Sequence, residues 1–178
     1  MILCGIVRNE LMEIWDIYDV NKEKTGRTMV RNDWNMQPGD YHLTVLGVIK
    51  RPDNTFLITR RVLSKAWAPG HWEVSGGAAL SGETSLDAVK REVFEETGID
   101  VSEAKGGFCF SYRRDNPKEK DNYFVDIYRF EMDINENDVK IQKEEALEFK
   151  FATLEEIKEI AARGEFLHYD SIKKVFED

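Results

Sequence analysis

Residues 76–99, GGAALSGETSLDAVKREVFEETGI, join a glycine pair to an acidic helical pattern, and their reading decides the fold. Gly76 and Gly77 lack side chains, so the backbone there can approach a ligand closely and adopt torsions that other residues avoid. Thr84-Ser85-Leu86-Asp87 supplies the hydroxyl and carboxylate of a capping box, and Gly98 stands where a left-handed residue stops a helix. Between these signals Leu86, Val89 and Val93 recur at intervals of three and four, so one stripe is expected to face a core. Glu92, Glu95 and Glu96 make a second stripe, roughly 100° around the helix from the first, at the border between core and water.

Three carboxylates brought together in this way repel, at roughly 0.2–0.5 kcal/mol per pair. A divalent cation accounts for such an arrangement: Mg²⁺ takes oxygen ligands, keeps several waters and commonly links one or two carboxylates to substrate phosphates. A solvated acidic face would explain the glutamates alone, but not the glycine pair, Glu83 and Arg91 at fixed distances as well.

The stretch resembles the Nudix box, G-x5-E-x7-R-E-U-x-E-E-x-G-U with U aliphatic. Gly77, Glu83, Arg91, Glu92, Val93, Glu95, Glu96, Gly98 and Ile99 fill every specified position, so the box runs over residues 77–99. The resemblance implies hydrolysis of a diphosphate linkage in a nucleoside diphosphate derivative or related organic diphosphate. It implies that Glu92, Glu95 and Glu96, helped by the main-chain carbonyl of Gly76, hold Mg²⁺ or Mn²⁺, with Glu92 also a catalytic residue. Glu83 and Arg91 match the family's charged pair that ties loop to helix, a task suited to the fork of a guanidinium. The implied fold is α/β, an α/β/α sandwich with a mixed sheet between helices, as one domain over residues 1–178.

Length and composition agree with this. A chain of 178 residues with 42% hydrophobic residues has enough material for one proper core. A net charge of -9 argues against binding a nucleic-acid polymer, which calls for clustered Lys and Arg. It does not exclude a small-molecule diphosphate, because a metal ion supplies positive charge locally. Cys4 and Cys109 are too few and too far apart for a disulfide framework or a zinc site, which points to a reducing compartment. The apolar opening at residues 1–7 meets Arg8, Asn9 and Glu10 too soon for a secretory or membrane-spanning segment, so a cytoplasmic location is expected. A homodimer stays open.

Along the chain, residues 12–31 read as an N-terminal hairpin. Trp15 to Val20 alternates apolar with polar, Asn21 to Gly26 holds turn residues, and Arg27 to Val30 returns. The wording DIYDVNKEKTGRT is similar to the Nudix branch that includes isopentenyl-diphosphate isomerase. Asn32 to Asp40 looks like a connector. Tyr41 to Ile49 and Phe56 to Thr59 read as paired strands, and Arg60 and Arg61 follow as candidate substrate contacts. Trp67 to Ser75 is similar to the PGxWexPGG lead of many Nudix proteins, with Ser75 where proline is common. Gly107 to Arg113 and Tyr123 to Met132 read as strands around a charged loop, 114–122, a candidate lid. Arg113, Arg114, Lys118 and Lys120 there could meet phosphates, and Arg113 is chosen among them. Phe108, Phe110 and Tyr112 alternate on one face. Glu144 to Phe151 resembles the family ending ExxExxW, with Phe151 for Trp, and in several members a glutamate here is a further metal ligand or general base; Glu145 is the choice, with Glu144 close behind. Thr153-Leu154-Glu155-Glu156 announces a helix that Gly164 ends, and Ser171 to Phe176 reads as a short final helix.

Two other classes compete with a hydrolase. An isopentenyl-diphosphate isomerase is suggested by the hairpin and by His42, but Gly76 and Ala78 stand where isomerases carry a catalytic cysteine and a metal-binding histidine. A non-catalytic nucleotide-binding module would be marked by loss of a box glutamate, and none is lost. Pro117, Tyr112 and LITRRVLSKAWAPG do not match the family's substrate-specific markers, so the diphosphate remains open.

Overall fold

A computed structural model describes residues 12–33 and 36–177. The expectations for Cys4 and for the apolar opening at residues 1–7 lie outside these residues. Around the central strand β3 (His42–Lys50), side chains alternate between two cores. Leu43, Val45 and Ile49 pack with Ala88, Val89 and Val93 of helix α1 (Ser85–Thr97), whereas Val48 packs with Ile157 and Ile160 of α2 (Leu154–Ala162). A strand covered on both faces has to be apolar on both, which is why this segment reads as an almost continuous hydrophobic run. The layers are α1, sheet, then α2 with the short helix α3 (Tyr169–Ile172) and the 3-10 turn Lys173–Phe176.

The sheet is mixed. β3 runs antiparallel to β4 (Thr55–Arg61) and β6 (Ser75–Ala78), and parallel to β8 (Tyr123–Glu131), which pairs with β7 (Lys105–Arg114). β3 and β4 are registered at Lys50 and Phe56 and then part. β6 takes the freed edge of β3, while β9 (Ala146–Thr153) and the two-residue β5 (Trp72–Glu73) take the edges of β4. This splay leaves a recess between β3 and β4, with the glycines of β6 on one side of it.

Helix α1 begins and ends where its sequence signals stand. Thr84 and Asp87 cap each other's backbone N–H groups, and Gly98 closes the helix at φ 72°. Its buried residues are Ala88, Val89, Val93 and Thr97. Leu86, expected in the stripe, is 41% exposed: it sits in the first turn, and Ala88 takes its place in the core. Burying Val89 and Val93 is worth roughly 1.5–3 kcal/mol each, several times the repulsion within the glutamate stripe, so the helix tolerates its acidic edge.

The N-terminal hairpin is present as β1 (Ile14–Tyr18) and β2 (Lys24–Val30), with its turn earlier than expected, at 19–23, because Asp19 accepts the N–H groups of Asn21 and Glu23. In β7 the register slips between Phe108 and Phe110. The bulge sends Phe108 against Tyr128 on the α1 side and leaves Phe110 and Tyr112 on the other, so these three aromatics do not share one face.

Candidate functional site

The loop before α1 is fixed first. Arg91 donates from Nε and Nη2 to the two oxygens of Glu83, at 2.7 and 3.0 Å, and from Nη2 to the Ala78 carbonyl at 3.1 Å. Glu83 in turn accepts the Leu80 N–H at 2.9 Å. Burial pushes the Glu83 carboxyl up, but the Arg91 guanidinium and the Leu80 N–H outweigh it and hold it below its ordinary range. From the hairpin, Asp16 accepts the Ser81 hydroxyl at 2.7 Å and the Gly82 N–H at 3.0 Å. Loop, helix and hairpin are thus tied together.

On this frame Glu92 and Glu96 face β6. A methyl group on Gly77 would stand 2.5–2.7 Å from the Glu92 carboxylate, so only glycine allows this approach. Glu96 accepts the Gly76 N–H at 3.3 Å. Its carboxyl is pushed well above its ordinary value, first by burial and then by the charges of Glu73 and Glu92. Glu95 lies further out and accepts from Arg91 at 3.3 Å, while Glu92 accepts from the same Arg91 Nη1 at 2.7 Å. Glu145, in the turn before β9, is paired with Lys65, and its charge also acts on Glu73. Among the described residues, no three Asp, Glu, His or Cys side chains already converge as a metal-binding group. Glu92 and Glu95 lean on Arg91 and Glu145 leans on Lys65, so carboxylates that share one border do not meet at one point.

The donor set nevertheless suits a hard divalent cation. It is all oxygen, and Glu96 is half-buried beside Glu73 and Glu92, so a positive charge placed there would relieve the repulsion.

Two cavities adjoin this strand region. The smaller, about 140 Å³, is lined by Glu73, Gly76, Gly77, Arg61 and Trp67. The larger, about 520 Å³, shares Gly77, Arg61 and Trp67 and extends to Trp15, His42 and Arg114. Arg61 donates to both oxygens of Glu73, at 3.1 and 3.0 Å, and to the Trp67 carbonyl at 3.2 Å. Arg60 and Arg113, expected to contact substrate, line neither cavity. Side chains alternate along a strand, so Arg60 turns away to the Gly70 carbonyl and Glu148, and Arg113 to Asp115 and the Tyr41 ring. Their neighbours Arg61 and Arg114 line the larger cavity, as does Arg31.

Glu73, Trp15 and His168 are site residues that the sequence did not single out. For Glu73 a signal exists: Glu73, Ser75 and Gly77 alternate around buried Val74, which directs all three toward the glutamate stripe. His168 carries no such signal. It arrives because residues 165–167 run beside Trp72, with Trp72 N–H to the Glu165 carbonyl and Leu167 N–H to the Trp72 carbonyl, both at 2.8 Å.

No helix among the described residues is long and apolar enough to cross a membrane. The profile of the NUDIX domain matches residues 40–174. The chain is 34% identical to an uncharacterized Nudix hydrolase of Listeria monocytogenes, over 93% of this chain and 94% of that protein. Its fold is similar to that of DR0079 from Deinococcus radiodurans, with a TM-score of 0.72 at 23% identity, covering 92% of this chain and 97% of the other. It is similar also to a bifunctional NMN adenylyltransferase/ADP ribose pyrophosphatase from Francisella tularensis, complexed with AMP and a manganese ion, with a TM-score of 0.59 at 22% identity over 77% of this chain and 41% of that one. With the domain profile over most of its length, a hydrolase relative matching nearly end to end and the α/β/α sandwich around the glutamate helix, the chain belongs to the Nudix hydrolase family.

Proposed function

We propose that this chain is a divalent-metal-dependent diphosphate hydrolase acting on a small organic diphosphate. One observation carries the reading: Glu96 and Glu92 stand half-buried against the glycines of β6, and the strand they face lines a cavity holding Arg61. Glu92, Glu95 and Glu96, with the Gly76 carbonyl, would hold Mg²⁺ or Mn²⁺; manganese accompanies AMP in the Francisella relative. Bound there, the ion would neutralise phosphate charge and acidify a water. Reaching it requires Glu92 and Glu95 to turn from Arg91 Nη1, while Arg91 keeps its two bonds to Glu83. The Glu83–Arg91 pair acts as a fixed hinge for the loop rather than as chemistry.

Within this reading, Arg61 orients a phosphoryl group. Arg61 and Glu73 both line the smaller cavity, so Arg61 can turn a donor to phosphate while Glu73 keeps it in place. Glu145 serves as general base, with Lys65 as its resting partner on a partly exposed loop. Arg60 and Arg113 stay with their own carboxylates.

The test is a phosphate-release screen over a panel of organic diphosphates with Mg²⁺ or Mn²⁺, run beside Glu95→Gln. At least one compound is hydrolysed, and the variant loses about 100-fold or more in rate, the scale expected for a group acting on transition-state charge. Hydrolysis unaffected by the substitution overturns the metal site, and isomerisation of isopentenyl diphosphate without phosphate release overturns the reaction class.

A further inference from the structure

We propose that Asp16 and Lys24 of the N-terminal hairpin are positioning residues for the metal site, acting on it through the Glu83–Arg91 pair. This rests on the reading of Glu92, Glu95 and Glu96 as metal ligands and goes further by giving the hairpin a part in how they bind. Both residues lie outside residues 40–174, the stretch that matches the family domain.

The hairpin takes hold of consecutive residues in the loop before α1. Ser81 donates its N–H to the Ile14 carbonyl at 2.7 Å and its hydroxyl to Asp16 Oδ1 at 2.7 Å, and the Gly82 N–H donates to Asp16 Oδ2 at 3.0 Å. Lys24 closes the grip: its ammonium lies 2.7 Å from Asp16 Oδ2 and donates to the Glu83 carbonyl at 3.2 Å. Ser81 and Gly82 are exposed, so water could satisfy their polar groups, yet they are turned onto a carboxylate whose side chain is only 15% exposed. A sheltered carboxylate with three donors, one of them an ammonium ion, fixes its partners more firmly than an exposed ion pair does. The residues so anchored lead directly into Glu83.

Glu83 carries the anchor to the ligands. Its two oxygens take Nε and Nη2 of Arg91, while Nη1 of the same guanidinium is shared by Glu92 and Glu95. Arg91 therefore stands between one carboxylate that keeps it and two that have to release it before an ion can be bound. With Glu83 held in place by the hairpin, Arg91 has a full partner, and the ion competes only with the contacts of Nη1. With the anchor cut, Glu83 loosens and Arg91 turns further to Glu92 and Glu95, as a rival to the metal. The apparent affinity for the ion then falls with the fraction of molecules whose ligands are free.

Titration of the full chain with Mn²⁺, followed by electron paramagnetic resonance, tests this without turnover. Asp16→Asn and Lys24→Met are each expected to weaken Mn²⁺ binding about fivefold or more, the lower end of the coupling between linked sites. The Lys24 side chain is exposed, so Lys24→Met decides the matter even where Asp16→Asn fails to fold. A double-mutant cycle reads the route: in a Glu83→Gln background, where Arg91 is already loosened, Asp16→Asn is expected to add less than about twofold, the margin within which independent effects sum. Wild-type affinity in both single variants, or the same loss with and without Glu83→Gln, overturns the proposal and leaves the metal site standing. A wild type that takes up no Mn²⁺ removes the metal site and this role of the hairpin with it.

Discussion

At the scale of single residues, the organising contact is the fork of Arg91 on Glu83. It joins helix to loop, reaches the Ala78 carbonyl and leaves one nitrogen for Glu92 and Glu95. Lysine keeps the charge but has no fork, so it cannot hold two oxygens and a carbonyl at once. Arg91→Lys is therefore expected to lower unfolding stability by ~2 kcal/mol, read by urea denaturation, since hydrogen bonds to charged groups are worth about 1.5–3 kcal/mol. A change within about 0.5 kcal/mol would place the pair among surface contacts instead. The pairing of Glu83 with Arg91 was legible because their spacing is fixed by one loop and two helical turns. The choice between Arg60 and Arg61 was not, because it depends on which face of β4 meets the recess. That in turn depends on where β9 and β5 pair, at positions far along the chain.

At the scale of elements, α1 lies on β3 at a distance set by Gly47. A methyl group there would stand 2.5 Å from Val93 Cγ2 and 2.9 Å from Val89 Cγ2, both on fully buried residues with no room to yield. Gly47→Ala should cost about 1–3 kcal/mol by overpacking and lower the midpoint of thermal unfolding. Because α1 carries all three box glutamates, metal affinity should fall with it; an unchanged midpoint would mean that the helix rides freely on the sheet. The existence of α1 was readable from Thr84, Asp87 and Gly98, whose signals are local. The bulge in β7 was not, since an extra residue at Cys109 shows only once β8 supplies the register. Leu86 was misplaced for a related reason: helical periodicity gives a stripe, but which turn of it meets the sheet is a tertiary matter.

At the scale of the molecule, the splayed sheet brings an acidic helix, a glycine strand and two cavities to one end, and the hairpin covers that end. The hairpin itself was visible in alternation and turn residues, but its place over His42 was not, because Trp15 meets His42 through a non-local bridge between Tyr18 and Tyr41. Gathering negative charge has a consequence for stability. Glu96, Glu92 and Glu73 each bind their proton more tightly folded than unfolded, chiefly through burial. From the ordinary value of 4.5 up to the raised ones, the folded protein holds more protons, so metal-free stability falls as pH rises through that window. Thermal melts in chelator should show this decline, Glu96→Gln should flatten it, and Mg²⁺ should restore stability at the upper end; a metal-free midpoint that rises across the window would contradict it. The central claim is that this acidic face captures a divalent ion, and Mn²⁺ titration followed by electron paramagnetic resonance reads it directly. The wild type should take up Mn²⁺ tightly, and a Glu92→Gln, Glu96→Gln double variant that remains folded should bind at least about 100-fold more weakly, as loss of two anionic oxygen ligands demands. Equal uptake by the two proteins would contradict the account.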